Sequence, residues 1–160
     1  MARPAGRGQI SMSAEAGPQF VDTNILVYAY DSSAERRHEL AQALLAELWQ
    51  NGQGCLSIQT LQEFYVTITR KVAQPMLAEQ AAQIISDLGH WKVHTPSVED
   101  VLAAIALQQR YRLSFWDAMV LTSAERLECG VVWSEDLNPS QTYTTVKVLN
   151  PFVKDTARRD

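Results

Sequence analysis

Between Gln19 and Leu149, short apolar segments alternate with longer amphipathic ones, and this alternation constrains the fold more than any other feature of the chain. Gln19–Asp22, Gly54–Ile58, Trp91–Thr95, Val131–Trp133 and Thr145–Leu149 are too short for helices and suit strands. The segments between them carry apolar residues at helical spacing. Thr23–Tyr30 offers Ile25, Leu26 and Ala29, and Glu35–Asn51 offers Leu40, Leu44 or Leu45, and Leu48. Gln59–Val72 shows a stripe of Leu61, Phe64, Tyr65 and Ile68, and Leu77–Leu88 is rich in alanine. A helix opened by Ser97, with Asp100 three residues on, places Val101, Leu102 and Ile105 on its face and fades near Tyr111-Arg112. Ser114 opens the last helix, which Gly130 stops. Asn51-Gly52, Pro75 and Gly89 punctuate the earlier ones, and Asn138-Pro139-Ser140 is expected as a loop. Strands alternating with helices, with no repeat and no Pro/Gly-rich linker, predict a three-layer α/β/α sandwich around a mostly parallel sheet of about five strands.

The chain has 160 residues, close to the commonest single-domain size, so one domain over residues 19–153 is expected. Residues 1–18 carry Arg3 and Arg7 with several Gly and Pro and no apolar h-region, which excludes a secretory signal. They are expected as a disordered leader, an expression remnant or an over-long start with Met12 as the true initiator, and residues 154–160 as a flexible tail. A hydrophobic content of 46% suits a soluble globular protein, and no apolar run approaches the ~20 residues that span a bilayer. Cys55 and Cys129 lie in apolar surroundings without a C-x-x-C motif, which predicts core thiols of a reduced, cytoplasmic protein.

A net charge of −4 gives no global attraction to nucleic acid or to anionic membranes. It leaves room for an enzyme whose acidic site holds cations, because bound metals reverse the local field. Four acids stand out by position. Asp22 ends the first strand, Glu63 sits early in the helix after the second, and Asp136 follows the fourth. Asp117 lies in the first turn of the helix opened by Ser114. Successive strands of a parallel sheet end at one edge, where ligands of open α/β sheets bind, so Asp22, Glu63 and Asp136 can converge there and a helix N-terminus can bring Asp117 to them.

Four carboxylates in one cleft repel one another unless cations neutralise them, and hard divalent ions such as Mg²⁺ answer that need with oxygen ligands. Ions held this way activate water and stabilise the leaving oxygen of a phosphodiester. Each acid also has a plainer role available. Asp22 could cap the helix that follows, although Thr23 or Asn24 can do this and leave it free for metal. Asp117 completes an S-x-x-D capping box with Ser114, and Glu63 fits a solvated helix face.

Four motifs in order carry a resemblance: V-D-T-N-I-L-V-Y-A from Val21, Q-E-F-Y at Gln62–Tyr65, S-F-W-D-A at Ser114–Ala118 and S-E-D-L at Ser134–Leu137. Together they resemble the PIN-domain family, and in spacing and size the VapC-type ribonuclease toxins of bacterial toxin–antitoxin pairs. The likeness covers roughly Phe20 to Phe152. It implies a compact α/β/α fold and a Mg²⁺- or Mn²⁺-dependent endoribonuclease site held by Asp22, Glu63, Asp117 and Asp136. Glu135 is the alternative to Asp136 as the fourth acid. Asn24 would assist as a polar group of the D-T-N turn, with Thr23 and Ser134 in supporting positions. The resemblance further implies a homodimer and inhibition by a cognate antitoxin.

Basic residues are sparse. Arg36-Arg37, Arg70-Lys71 and Arg112 fall near helix ends, where they can meet RNA phosphates or offset helix dipoles. Trp116, beside Asp117, can stack on a base, but a core position is the expectation. His90 and His94 lie on a strand-like stretch about 13 Å apart at ~3.3 Å per residue, too far for a zinc pair. Two readings stand beside the nuclease. A phosphatase using Asp22 as nucleophile would need a second Asp two residues on, where the chain has Asn24. A non-catalytic RNA- or protein-binding domain could keep the same fold.

Overall fold

The computed structural model describes residues 17–139 and 141–153. Most of the expected leader, including Met12, the tail at 154–160 and Ser140 of the expected loop lie outside the described residues. The elements follow as β1 (Gln19–Val21), α1 (Thr23–Tyr30), a 3₁₀ turn (Ser32–Ala34), α2 (Arg36–Asn51), β2 (Gly54–Ser57), α3 (Ile58–Arg70), α4 (Ala78–Leu88), β3 (Lys92–His94), α5 (Val98–Tyr111), α6 (Phe115–Arg126), β4 (Val131–Trp133), β5 (Thr142–Tyr143) and β6 (Val146–Leu149).

The sheet has six strands in the order β3-β2-β1-β4-β6-β5. The first five in that order pair in parallel, and β5 runs antiparallel at the edge against β6. Helices cover both faces, as the alternation predicts. Side chains alternate across a strand, so Phe20 and Cys55 join one core with Val120, Leu121 and Val132. Val21 and Leu56 join the opposite core with Ile25, Leu26, Leu48, Phe64 and Ile68. Cys55 and Cys129 are buried and unpaired by disulfide, as expected. Among the described residues no helix is long and apolar enough to cross a membrane.

Local chemistry sets the helix ends. Gly52 adopts a left-handed conformation (φ 70°) and its N–H returns to Leu48 O at 3.0 Å, closing α2 where Asn51-Gly52 predicts a stop. Ser57 caps α3 by accepting from Thr60 N at 3.2 Å, and Ser97 caps α5 in a reciprocal box with Asp100. The chain leaves α5 through Arg112 at φ 58°, a left-handed residue that ends the helix at the predicted point.

Several expectations change. The sheet gains β5, whose two residues are too few to leave a periodic signal. Val101, Leu102 and Ile105 are exposed, because α5 packs on α6 through Ala104 instead. Tyr65 is likewise exposed on α3, while Phe64 beside it is fully buried. Trp116 is 60% exposed and does not enter the core.

Candidate active site

Parallel strands end together, and the loops leaving β1 and β4 with the starts of α1, α3 and α6 enclose a cleft of about 180 Å³. Its lining is Asp22, Thr23, Asn24, Gln59, Glu63, Trp116, Asp117, Val120 and Asp136. The structure thus brings the four acids singled out in the sequence to one place.

Asp22 is 5% exposed and is itself the N-cap of α1, with its Oδ1 accepting from Thr23 N at 2.8 Å. This corrects the expectation that Thr23 or Asn24 would cap the helix and leave Asp22 free. Capping uses one oxygen, and the other accepts from the hydroxyl of Ser134 at 2.7 Å. Burial pushes the Asp22 carboxyl up to about 6, against the pull of these two hydrogen bonds and with added repulsion from Asp136 and Asp117.

The freed residues of the D-T-N turn hold the other acids. Thr23 donates its hydroxyl to Glu63 Oε1 at 2.7 Å. Asn24 donates from Nδ2 to Asp136 Oδ2 at 2.9 Å and accepts from Glu135 N at 3.2 Å through Oδ1. Its side chain therefore holds the loop after β4 through both ends of its amide. Ser134, fully buried, spends its one proton on Asp22 and accepts from Asp136 N at 3.1 Å and Leu137 N at 3.4 Å.

Asp117 sits where Ser114 caps α6, and Ser114 Oγ accepts from Asp117 N at 3.1 Å. Its carboxyl lines the cleft. Burial raises its pKa; the Ser114 hydroxyl opposes this, and repulsion from Asp136 and Glu63 adds to it.

Glu135 faces elsewhere. It accepts from Tyr28 Oη at 2.8 Å and from Arg37 Nε at 2.7 Å, and it does not line the cleft. The Arg37 guanidinium also lies over the rings of Tyr28 and Phe152, at 5.7 and 5.4 Å from their centroids. Arg37 thus serves an internal ion pair, while Arg36, Arg70, Lys71 and Arg112 are exposed and outside the cleft lining.

Gln59 and Val120 line the cleft without having been singled out in the sequence. The signal for Gln59 was available, since it lies one helical turn before Glu63 and shares its face. His90 lies before β3 and meets Asp87 O, whereas His94 contacts Ser123 Oγ and Asp100, so the two histidines form no common site.

Among the described residues, no three acidic, histidine or cysteine side chains are grouped tightly enough to hold a metal ion by themselves. The donor set nonetheless fits a hard ion of the Mg²⁺ type. It is all oxygen, and such an ion takes one or two carboxylates and completes its shell with water and phosphate. No lysine or arginine lines the cleft to offset its four carboxylates, and burial first, with mutual repulsion adding to it, raises the pKa of Asp22 and Asp117.

The PIN domain family model matches residues 20–144, and the chain belongs to the PIN domain family. Its fold is shared by solved structures of toxins and toxin–antitoxin complexes. A toxin–antitoxin complex from Klebsiella pneumoniae aligns at TM-score 0.62 with 23% identity, over 84% of this chain and 98% of that one. DNA-bound VapBC from Salmonella typhimurium aligns at 0.60 with 13% identity, over 84% and 98%. VapC20 of Mycobacterium tuberculosis, described as a Sarcin-Ricin loop cleaving toxin, aligns at 0.54 with 17% identity, over 71% and 86%. No match was found among curated proteins.

Proposed function

We propose that this protein is a divalent-metal-dependent endoribonuclease and the toxin of a type II toxin–antitoxin pair, acting in the cytoplasm. The observation that carries the reading is the convergence of Asp22, Glu63, Asp117 and Asp136, drawn from four separate elements, on one cleft. Membership of the PIN family and likeness to toxin structures support it.

Mg²⁺ or Mn²⁺ bound there would supply an activated water and charge stabilisation for the leaving oxygen. The chain's own residues set this up. Ser134 and Thr23 N hold Asp22 toward its ionised form against burial, Thr23 Oγ1 orients Glu63, and Asn24 orients Asp136. Asp136 is the fourth acid in this reading, because Glu135 is engaged with Tyr28 and Arg37.

A cognate antitoxin is the proposed partner, supported by the toxin–antitoxin assemblies of similar fold. We also propose a homodimer. Val98, Val101, Leu102 and Ile105 repeat at helical spacing and stand exposed together on α5, an apolar face that a second copy would cover.

Purified protein free of any inhibitor should cleave single-stranded RNA with Mg²⁺ or Mn²⁺ and lose that cleavage in EDTA. Asp22→Asn should lower the rate by roughly a thousandfold or more while the fold persists, since a metal-held charge is removed from the reacting centre. Absence of cleavage with every divalent ion tried, alongside intact RNA binding, would sink the enzyme in favour of a binding domain.

A further inference from the structure

We propose that Trp116 and Gln59 form a nucleobase subsite beside the acidic cleft, which holds one unstacked base of the RNA next to the scissile phosphate. The inference rests on the nuclease reading for its substrate class and on independent geometry for its place.

Trp116 is 60% exposed, yet it lines the same cleft as the four acids and directly precedes Asp117 in the chain. The indole is held in position. It packs edge-to-face with Phe115, with centroids 5.0 Å apart and planes at 73°. Its backbone carbonyl accepts from Gln59 Nε2 at 3.5 Å.

Gln59 is only 9% exposed, and its Nε2 also points to Glu63 Oε2 at 3.4 Å. Those two acceptors fix the amide orientation, because the reverse would set a carbonyl oxygen against a carboxylate. The consequence is that Oε1 of Gln59 is buried with no hydrogen-bond partner. A buried acceptor without a donor is costly, and the Gln59 side chain, which lines the cleft, would relieve that cost by turning its amide to accept from a base N–H or a ribose hydroxyl.

Electrostatics gives the subsite its purpose. Four carboxylates line the cleft, and its lining contains no lysine or arginine. Phosphate contacts, which usually dominate affinity for nucleic acid, are therefore weak here before metal arrives. Stacking is indifferent to that repulsion, because it acts on the uncharged face of a base. It also selects single strands, whose bases are free to leave their neighbours.

The test uses the full chain carrying Asp22→Asn, so that RNA survives, and follows a labelled single-stranded oligoribonucleotide by fluorescence anisotropy. Adding Trp116→Ala should weaken binding ~5- to 100-fold, with Trp116→Phe restoring most of it. An abasic nucleotide in the oligomer should reproduce the loss at one position only. Gln59→Leu should weaken binding less, and thermal melts should show all variants folded. The Trp116-dependent part should persist at high salt.

Unchanged binding in Trp116→Ala overturns the proposal, as does a loss confined to binding of a protein partner. The two readings fail separately. Cleavage by Trp116→Ala with unaltered KM removes the subsite and leaves the nuclease. Trp116-dependent RNA binding by wild type without cleavage removes the nuclease and leaves the subsite.

Discussion

The buried hydroxyl of Ser134 donates to Asp22 at 2.7 Å, across 112 residues of sequence, and joins the end of β1 to the loop that follows β4. It acts on the most buried of the four cleft acids. Burial holds the folded-state pKa of Asp22 near 6, above its ordinary value, so the folded protein favours the protonated acid. The associated stability is present in full below about pH 4 and is lost as pH rises through about 6. The Asp22 carboxyl should therefore make metal-free protein melt at a lower temperature at pH 8 than at pH 5. Asp22→Asn, uncharged throughout, should exceed wild type in Tm at pH 8, with the gap closing toward pH 4. Thermal melts in EDTA across that range check the sign.

Ser134→Ala removes one of the two hydrogen bonds that favour the ionised form of Asp22. The carboxyl should titrate higher still, and Mn²⁺ should bind about tenfold more weakly at pH 7, the scale of one lost charge-assisted hydrogen bond. Calorimetric Mn²⁺ titration of the two proteins measures this without substrate.

Glu135 offers a third prediction. Tyr28 and Arg37 hold its carboxylate, and Asn24 holds its N–H, one residue before Asp136. Tyr28→Phe deletes one hydroxyl and should loosen the loop, raising the Mn²⁺ concentration needed for half-maximal activity several-fold with little change in Tm. Glu135→Gln should behave similarly, whereas Asp136→Asn should abolish the metal response. Equal effects at Glu135 and Asp136 would contradict the assignment of Asp136 as the ligand.

At the far end of α6, Asp100 accepts from Ser97 N at 2.8 Å, from Arg126 Nε at 2.7 Å and lies 3.2 Å from His94 Nε2. The Ser97 backbone first, and Arg126 next, hold its pKa down at about 2. A depressed carboxyl stabilises above its unfolded pKa, near 4, and loses that contribution as pH falls through about 2. Asp100→Asn should lower stability by about 1 kcal/mol at pH 7, as for a lost cap, and flatten the acid side of the pH–stability curve. Denaturant titrations at pH 2, 4 and 7 test this.

The sheet and the position of its four acids were legible in the sequence because parallel strands oblige their ends to share an edge. Apolar runs mark those ends directly, as at Phe20-Val21 and Val131–Trp133. What was illegible depends on neighbours that periodicity does not name. Phe115 and Trp116 are adjacent and equally apolar in pattern, yet only Phe115 packs against Ala104, Ala118 and Met119. Val101, Leu102 and Ile105 mark an apolar face of α5, but Ala104 is the residue that lets α6 approach. Glu135 and Asp136 are likewise interchangeable by sequence position. Tyr28 and Arg37, about a hundred residues earlier, separate them.

The central place of β1 also sets an order of events during synthesis. Asp22 and Asn24 emerge from the ribosome directly after the first strand, but their partners Ser134 and Asp136 lie 112 positions later. A nascent chain has no completed cleft until β4 slots in beside β1. Under the proposed function, a nascent chain would thus be harmless to the machine translating it until Asp136 had emerged, and no product truncated before that residue could inherit the complete set of acids.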